Sequence, residues 1–431
     1  MTWTLPAREQ IAAEMLGVVR QHISNAWFPR CIDRERGGFF SQFDRAWRQN
    51  GPQHRMLEFQ ARQARAAARL SIAFPGEAQW AEIALHGFRY LRDKMWDHTH
   101  GGWFSMMSRD GEPLEGATKH SHGTSYAVGA CAAVYAATGE PEALELALTG
   151  FDWFDRRAHD EEYGGYRDWL RRDGTLITEA EAGVSIRLGY PVNSKDINCH
   201  HDWVEAFTEF MSVRHEARVE ERLREVLRLI LRHMVTEHGA VHNVAHRDWS
   251  PQPGFELYGH CLQTANCIAA CREFCDDPPA ADVAIERMAD HAISRGWASD
   301  GGGIWFAGPS GPPDVLETIP LVVRRRAWWV QLEGLLLLAT LVPRVDAEKR
   351  SMYTDLFGRL WAFIKSDLAD DVYGGFYPTS PRDLRWTERP RGRWGRSYEL
   401  RKGHLWKDAS HDTDDLLDCI RLLTDKPTGA I

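Results

Sequence analysis

No apolar run in this chain approaches the roughly 18 residues that a membrane-crossing helix needs. No stretch is Ser-rich, Pro-rich or built of one charge, so nothing marks a linker. Acidic and basic residues are interspersed around a net charge of −9, which leaves no basic stripe for nucleic acid. The eight cysteines are scattered without CxxC spacing, which argues against a disulfide framework. Cys267, Cys271 and Cys275 recur at helical spacing and read as a packed thiol stripe. The N-terminus lacks the shape of a signal peptide. The expectation is a soluble cytoplasmic protein, monomer or homodimer, with neither nucleic acid nor membrane as partner.

What the chain does contain is a repeat. An acidic or polar residue followed by Gly-Gly and aromatics occurs at Asp33 to Gly37-Gly38-Phe39-Phe40, Asp97 to Gly101-Gly102-Trp103-Phe104 and Asp160 to Gly164-Gly165-Tyr166. It continues, degraded, at Glu237-His238-Gly239-Ala240-Val241, then at Asp300 to Gly302-Gly303-Ile304-Trp305-Phe306 and Asp370 to Gly374-Gly375-Phe376-Tyr377. A period of about 60 to 75 residues is longer than most solenoid repeats, but it marks a repeated supersecondary unit in the same way. Six units imply six-fold closure, and a repeat closed on itself is expected to form one domain over 1–431.

Between successive patterns lie two helical stretches. Arg55 to Ala73, rich in Ala, Arg, Gln and Leu, stops at Phe74-Pro75-Gly76, and Glu77 to Trp96 follows. The alternation recurs along the chain, and a final helix near Asp412 to Leu423 is expected to pair with the opening one, Ala7 to Phe28. Helices after the Gly-Gly patterns are the more apolar, as Tyr126 to Ala137 and Leu332 to Leu341 show, whereas Glu220 to His233 carries dense Glu and Arg. The predicted fold is all-α: an (α/α)6 barrel of six helical hairpins, with short Gly-aromatic β-hairpins at one mouth.

Chemistry is expected where the inner helices begin, since all six starts converge on one mouth. Those starts hold Arg62; His122; Asn198, His200, His201 and Asp202; His260; Trp328, Trp329 and Glu333; and His411. Histidine stands at four of the six starts, in a chain with 19 His. Eighteen Trp suit a sugar, whose apolar faces stack on rings, although core packing accounts for most Trp equally well.

At these residues the sequence resembles the N-acylglucosamine 2-epimerase superfamily, over about residues 11–423. Gln60-Ala61-Arg62 resembles the segment whose arginine binds the open-chain sugar oxygens. Asn198 with Glu205-Ala206, Gly259-His260, Gln331 with Glu333, and Trp406-Lys407 with His411 resemble four further family motifs. The resemblance implies His411 as principal base, and His260 as ring-opening acid or second base. The substrate contacts it implies are Arg62, His122, Asn198, Asp202, Gln263, Trp329, Glu333, Trp406 and Lys407. Three positions depart from the family pattern: Asp202 replaces a histidine, Gln263 a glutamate and His122 a tyrosine.

The chemistry implied is proton transfer at C2 of an opened reducing sugar through an enediolate. Imidazole suits it because its unperturbed pKa lies near neutrality. The leading expectation is a metal-independent aldose–ketose isomerase of mannose/fructose type, with no cofactor. A 2-epimerase of the same family is the alternative, as is a hydrolase using Asp202 with Glu333 or Asp412. A metal site from His120, His122, His200, His201 and Asp202 has the right ligand types but matches no spacing motif. A non-catalytic binding barrel would not need two bases. Arg324-Arg325-Arg326 is a candidate anion contact or a solvated loop, Pro309 to Pro313 a loop near the mouth, and Lys119, Lys195 and Lys407 polar lining.

Overall fold

The computed structural model of the protein describes residues 3–180, 191–252, 254–310, 325–384 and 400–425. Within them six inner helices run Leu57–Ala73, Ser121–Thr138, Ile197–Val213, Tyr258–Ala270, Trp328–Leu341 and Ser410–Thr424. Each packs against the next and the last against the first, so the ring closes. Six outer helices, Leu5–Val18, Gln79–Tyr90, Pro141–Ala158, Ala217–Leu229, Pro278–Gly296 and Ala347–Phe363, each back an inner one. This is the expected (α/α)6 barrel, and the opening helix does pair with the closing one, joined also by Arg8 and Asp425.

Composition decides which helix goes where. Trp328–Leu341 is apolar nearly all round and is buried on almost every side. Ala217–Leu229 buries only Val219, Leu223, Val226 and Leu227, and leaves its Glu and Arg outside. Caps fix the boundaries: Asp277 and Asp346 accept from Ala280 N and Lys349 N at 3.0 Å, and Gly139 ends its helix in the left-handed conformation at φ 72°. Pro141 and Pro278 open outer helices, where a missing N–H costs nothing. The second outer helix is shorter than the expected Glu77 to Trp96. Its last turn, Leu91–Met95, widens to a π-helix, as do Val19–Ser24, Ile230–Met234 and Ile364–Leu368.

The Gly-Gly segments are hairpins closed by single bridges, Ile32 to Phe39, Trp96 to Trp103, His159 to Tyr166 and Ala369 to Phe376 among them. Two consecutive glycines sit at positive φ in each of these four, for example Gly164 at 74° and Gly165 at 67°. A second set of contacts ties each repeat to its neighbour. The two-residue strands Arg55–Met56, Lys119–His120, Lys195–Asp196 and Glu256–Leu257, each leading into an inner helix, pair antiparallel with Met106–Met107, Trp169–Leu170, Val244–Ala245 and Ala307–Gly308. Bridges Ala327 to Thr379 and Gly403 to Phe43 complete the circle.

An ion clasp locks four of the hairpins. Asp33 is held by Arg55 and Arg109 at 2.6 and 2.8 Å, and Asp97 by Lys119 and Arg172 at 3.3 and 2.9 Å. Asp160 is held by Lys195 at 3.0 Å and Arg247 at 2.8 Å, and Asp370 by Lys402 and Arg45 at 2.7 and 2.9 Å. Burial alone would raise these carboxyls, but hydrogen bonds from the arginines, backbone N–H groups and the buried cations hold all four below the ordinary range. Thus Lys119 and Lys195, expected as polar lining of the site, are fully buried clasp cations instead. The sequence pattern also placed two acids wrongly. Residues matching Asp160 in the fourth and fifth hairpins are Thr236 and Ala298, which follow the bridged Val235 and Trp297, not Glu237 and Asp300. The fourth repeat accordingly exchanges its clasp cation for Glu256, which accepts from Val241 N at 2.8 Å and pairs with His291 at 2.6 Å. In the fifth, Arg326 turns to Asp383 and Asp300 at 2.6 and 3.0 Å. Arg326 is therefore a buried brace and no anion contact, while Arg324 and most of Pro309 to Pro313 lie outside the described residues.

The clasps make two expectations measurable. Lys195→Ala leaves the Asp160 charge buried with one partner fewer and should cost about 3–5 kcal/mol in unfolding free energy. Because the clasp carboxyls titrate lower in the folded chain than in the unfolded one, their stabilisation is full above about pH 4 and is lost as pH falls further. Urea melts at pH 7, pH 4 and about pH 2 check both, and a Lys195→Ala loss below 1 kcal/mol would remove the clasp from the account.

Candidate active site

The hairpins cover the N-terminal mouth, and the fourth residue of four inner helices fastens them there. Gln60 Oε1 accepts from Phe39 N at 2.7 Å, and Gln331 does the same for Ile304 N at 2.7 Å. His200 Nε2 accepts from Tyr166 N at 3.1 Å, and Cys261 Sγ reaches Gly239 O at 3.5 Å. His200 and Gln331 are thereby structural. His200 is also bonded to Asp196 O, and burial pushes its pKa down to about 4.

Two residues further along each helix, a turn of geometry brings the side chains to the barrel axis. The sixth residues are Arg62, Tyr126, Asp202, Gln263, Glu333 and Asp415. Tyr126, which the sequence reading missed, links two of them: Arg62 Nη2 donates to its Oη at 2.6 Å, and its hydroxyl donates to Asp202 Oδ1 at 2.9 Å. The other Asp202 oxygen pairs with His122 Nδ1. Asn198 Nδ2 stands 3.4 Å from His122, and Asn198 Oδ1 lies 3.2 Å from His201 Nε2. A continuous polar network thus joins the first three inner helices. Burial works against the Arg62 charge, and Tyr126, Asp408 and Asp202 more than restore it. Its Nε is buried with no hydrogen-bond partner, a donor still unspent.

Across the mouth stand the two histidines. His411 Nδ1 lies 3.2 Å from Glu333 Oε1, and Glu333 Oε2 in turn accepts from Asn266 Nδ2 at 2.8 Å. His260 and His411 each have their ring centroid 5.6 Å from that of Trp329, so both imidazoles border one indole. Gly259 makes room for that indole: a β-carbon there would meet its ring at 2.2 Å. Below His411, Tyr126, Gln263 and Glu333 a cavity of about 300 Å³ runs down the barrel past Arg65 and Glu205. Glu333, His411 and Asp415 also bring ligand-type atoms within 4.8 Å of one another.

The remaining expected site residues divide. Trp406, 40% exposed, sits with its ring 6.1 Å from His122 at the rim. Lys407 is fully buried on Asp412 at 2.8 Å and on Asp408 O at 3.1 Å, beneath Trp328, so it braces the last turn and does not line the cavity. That same pair removes Asp412 as a free catalytic carboxylate. His201 bonds Thr264 at 3.0 Å, and burial, against the nearby Asp202 charge, lowers its pKa to about 4. The metal set His122, His200, His201 and Asp202 therefore does not assemble, since His200 points to its hairpin. Nor does Asp202 face His260 and His411; its charge is spent on His122, Tyr126 and Arg62.

A model of N-acylglucosamine 2-epimerase (GlcNAc 2-epimerase) matches residues 37–395 of this chain. The chain belongs to that family. It is 26% identical over 418 residues to a cellobiose 2-epimerase of Bacteroides fragilis, covering 94% of this chain and 97% of that protein. A D-mannose isomerase of Thermobifida fusca is 24% identical over 314 residues, covering 68% and 70% of the two chains. The solved cellobiose 2-epimerase of Spirochaeta thermophila superposes with a TM-score of 0.81 at 24% identity, over 97% of this chain and 98% of that one, which shows the same fold. The protein is an enzyme of the isomerase class, as the resemblance implied. Epimerases dominate these relatives, so the family evidence favours 2-epimerisation over the aldose–ketose isomerase of the sequence reading.

Asp202 gives this site a measurable signature. Burial raises its pKa to about 6, partly opposed by His201, Arg62 and Tyr126. A carboxyl raised on folding is most favourable to the fold below about pH 4, and that contribution is lost as pH rises through about 6. Asp202→Asn should abolish that loss of stability between pH 4 and 6. It should also remove an acidic limb near pH 6 from kcat/KM while lowering the plateau by about 10-fold or more, because the anion that anchors His122 and Tyr126 is gone. Thermal melts and pH–rate profiles on the variant check both, and an unchanged acidic limb would take Asp202 out of the reaction.

Proposed function

We propose that this enzyme is a 2-epimerase of reducing sugars, in the manner of its cellobiose 2-epimerase relatives. The observation that carries the reading is that two imidazoles, His260 and His411, both border the indole of Trp329, each with its ring centroid 5.6 Å away. Epimerisation at C2 needs a base on one face of the sugar and an acid on the other. In this reading C2 of the sugar lies between the two imidazoles, with Trp329 as the apolar wall beside it.

In the reaction so read, the ring-opened aldehyde acidifies its C2–H. His411, oriented by Glu333, takes that proton and leaves an enediolate. His260 delivers a proton to the opposite face of C2, so the product differs from the substrate only in C2 configuration. Arg62 stabilises the charge that develops on the sugar oxygens, as a donor preorganised by Tyr126 and Asp408. The same groups become an aldose–ketose isomerase if a single imidazole returns the proton to C1. The mannose isomerase relative supports that second reading. The hydrolase alternative loses both of its proposed partners, since Glu333 orients His411 and Asp412 is tied to Lys407.

His411→Ala should lower turnover by about 10²- to 10⁴-fold with the fold intact, and His260→Ala should also cost orders of magnitude. The chemistry is read directly by incubating cellobiose, mannose and related reducing sugars with the enzyme in deuterium oxide. NMR should find deuterium at C2 of an epimer. Deuterium at C1 of a ketose would make it an isomerase, and unlabelled sugars throughout would end the assignment.

Proton transfer between imidazoles needs no ion, so turnover should survive EDTA followed by desalting. Activity that disappears and returns with zinc or manganese would mean that an ion supports turnover, either at Glu333, His411 and Asp415 beside the proposed base or elsewhere in the mouth.

A further inference from the structure

At the rim of the barrel, outside the residues proposed for proton transfer, three side chains from three separate elements converge. His120 ends the strand before the second inner helix, Asp168 precedes the strand Trp169–Leu170, and Cys199 lies in the first turn of the third inner helix. His120 Nε2 stands 3.2 Å from Asp168 Oδ1, and Cys199 Sγ stands 2.9 Å from the same oxygen. The three ligand-type atoms all lie within 4.8 Å of one another. From these two distances and that limit, the point equidistant from the three atoms lies no more than about 2.5 Å from each. Zinc–nitrogen, zinc–oxygen and zinc–sulfur bonds measure about 2.0 to 2.3 Å.

We propose that His120, Asp168 and Cys199 form a binding site for a divalent ion of the zinc class, its tetrahedron completed by a fourth ligand. The outer shell fits as well. The second ring nitrogen of His120 faces Glu58 Oε1 at 3.4 Å, the carboxylate–histidine–metal arrangement that fixes the tautomer and strengthens the ligand. Trp169 stacks on His120 with centroids 4.0 Å apart and holds the ring in plane. His120 and Cys199 are buried, whereas the Asp168 side chain is 22% exposed and supplies the way in. Imidazole, thiolate and carboxylate are the donor set of zinc and cobalt(II), and thiolate is a poor ligand for magnesium or calcium. Binding replaces the proton on Cys199 by the metal and releases that proton to solvent.

The place of the site gives it a purpose. His120 stands two residues before His122, and Cys199 directly follows Asn198, whose amide lies 3.4 Å from His122. A bound ion clamps the second and third inner helices to each other at the level where their side chains enter the polar network around Asp202. Its role is therefore to hold the mouth together, separate from proton transfer at His260 and His411.

Cobalt(II) titration of the metal-stripped full-length protein tests this. One equivalent should bind with the intense visible bands of a tetrahedral site and a near-ultraviolet thiolate-to-cobalt charge-transfer band. Cys199→Ser should abolish the charge-transfer band. Glu58→Gln, which leaves all three ligands in place, should keep the band and weaken affinity by about 10- to 100-fold. Zinc should raise the melting midpoint of the parent protein and leave that of Cys199→Ser unchanged. Ion binding without a sulfur band would assign it to Glu333, His411 and Asp415 and overturn the proposal. A sulfur band that persists in Cys199→Ser, or a folded parent that binds no cobalt, would overturn it equally. Should Cys199→Ser fail to fold, Glu58→Gln decides, an unaltered affinity counting against the site. None of these readouts depends on turnover, so they stand or fall apart from the epimerase reading.

Discussion

A buried aspartate between two cations is the interaction on which this barrel rests. Each Gly-Gly hairpin would otherwise be a turn closed by a single bridge, too short to hold its own shape. The aspartate is bonded within its hairpin, paired with the cation of the strand that follows, and paired again with an arginine from a neighbouring repeat. Intra-repeat and inter-repeat contacts are thereby made by one carboxylate. Removing the aspartate leaves a buried cation without its counter-charge, and removing the buried cation leaves the aspartate with a part-exposed arginine alone, which makes the clasp decisive for the geometry of the mouth. The fourth repeat supports this account by exception: where the acid is lost, the cation is lost with it and Glu256 takes the place.

Rigid hairpins matter because the reacting groups hang from the helix turns directly beneath them. Gln60, His200 and Gln331 join hairpin to helix, and two residues on come Arg62, Asp202 and Glu333. Helical geometry does the rest, since equivalent positions in a ring of parallel inner helices point at the same level of the axis. Glu333 orienting His411, and Tyr126 orienting Arg62, are instances of a fixed group positioning a working one. The three positions that the sequence reading took as departures from the family pattern, His122, Asp202 and Gln263, lie at this level. His122 and Asp202, two of the positions read as departures, pair with each other.

The fold was legible in the sequence because its punctuation is covalent. Gly-Gly at positive φ, proline at helix starts and the Phe74-Pro75-Gly76 breaker act through local backbone sterics, which need no tertiary context. The closed ring followed from the count of repeats, and the inner and outer helices from their apolar content. Helix ends were less legible, because the π-turns at Leu91–Met95 and Ile364–Leu368 answer to the hairpins they enter.

The sequence by itself also determined the family and pointed to two histidines, on the fourth and sixth inner helices, since short motifs carry both. What tertiary structure alone decided was the use of each polar side chain. Lys119, Lys195, Lys407 and Arg326 look alike in sequence to lining residues, yet each is spent on a buried carboxylate. Tyr126 and Asn266 carry no motif and enter the site only because the helices close on them. Periodicity says which face of a helix is buried, but a buried charge is paired by whatever lies across the interface. That partner comes from a segment tens or hundreds of residues away and is fixed only when the ring shuts.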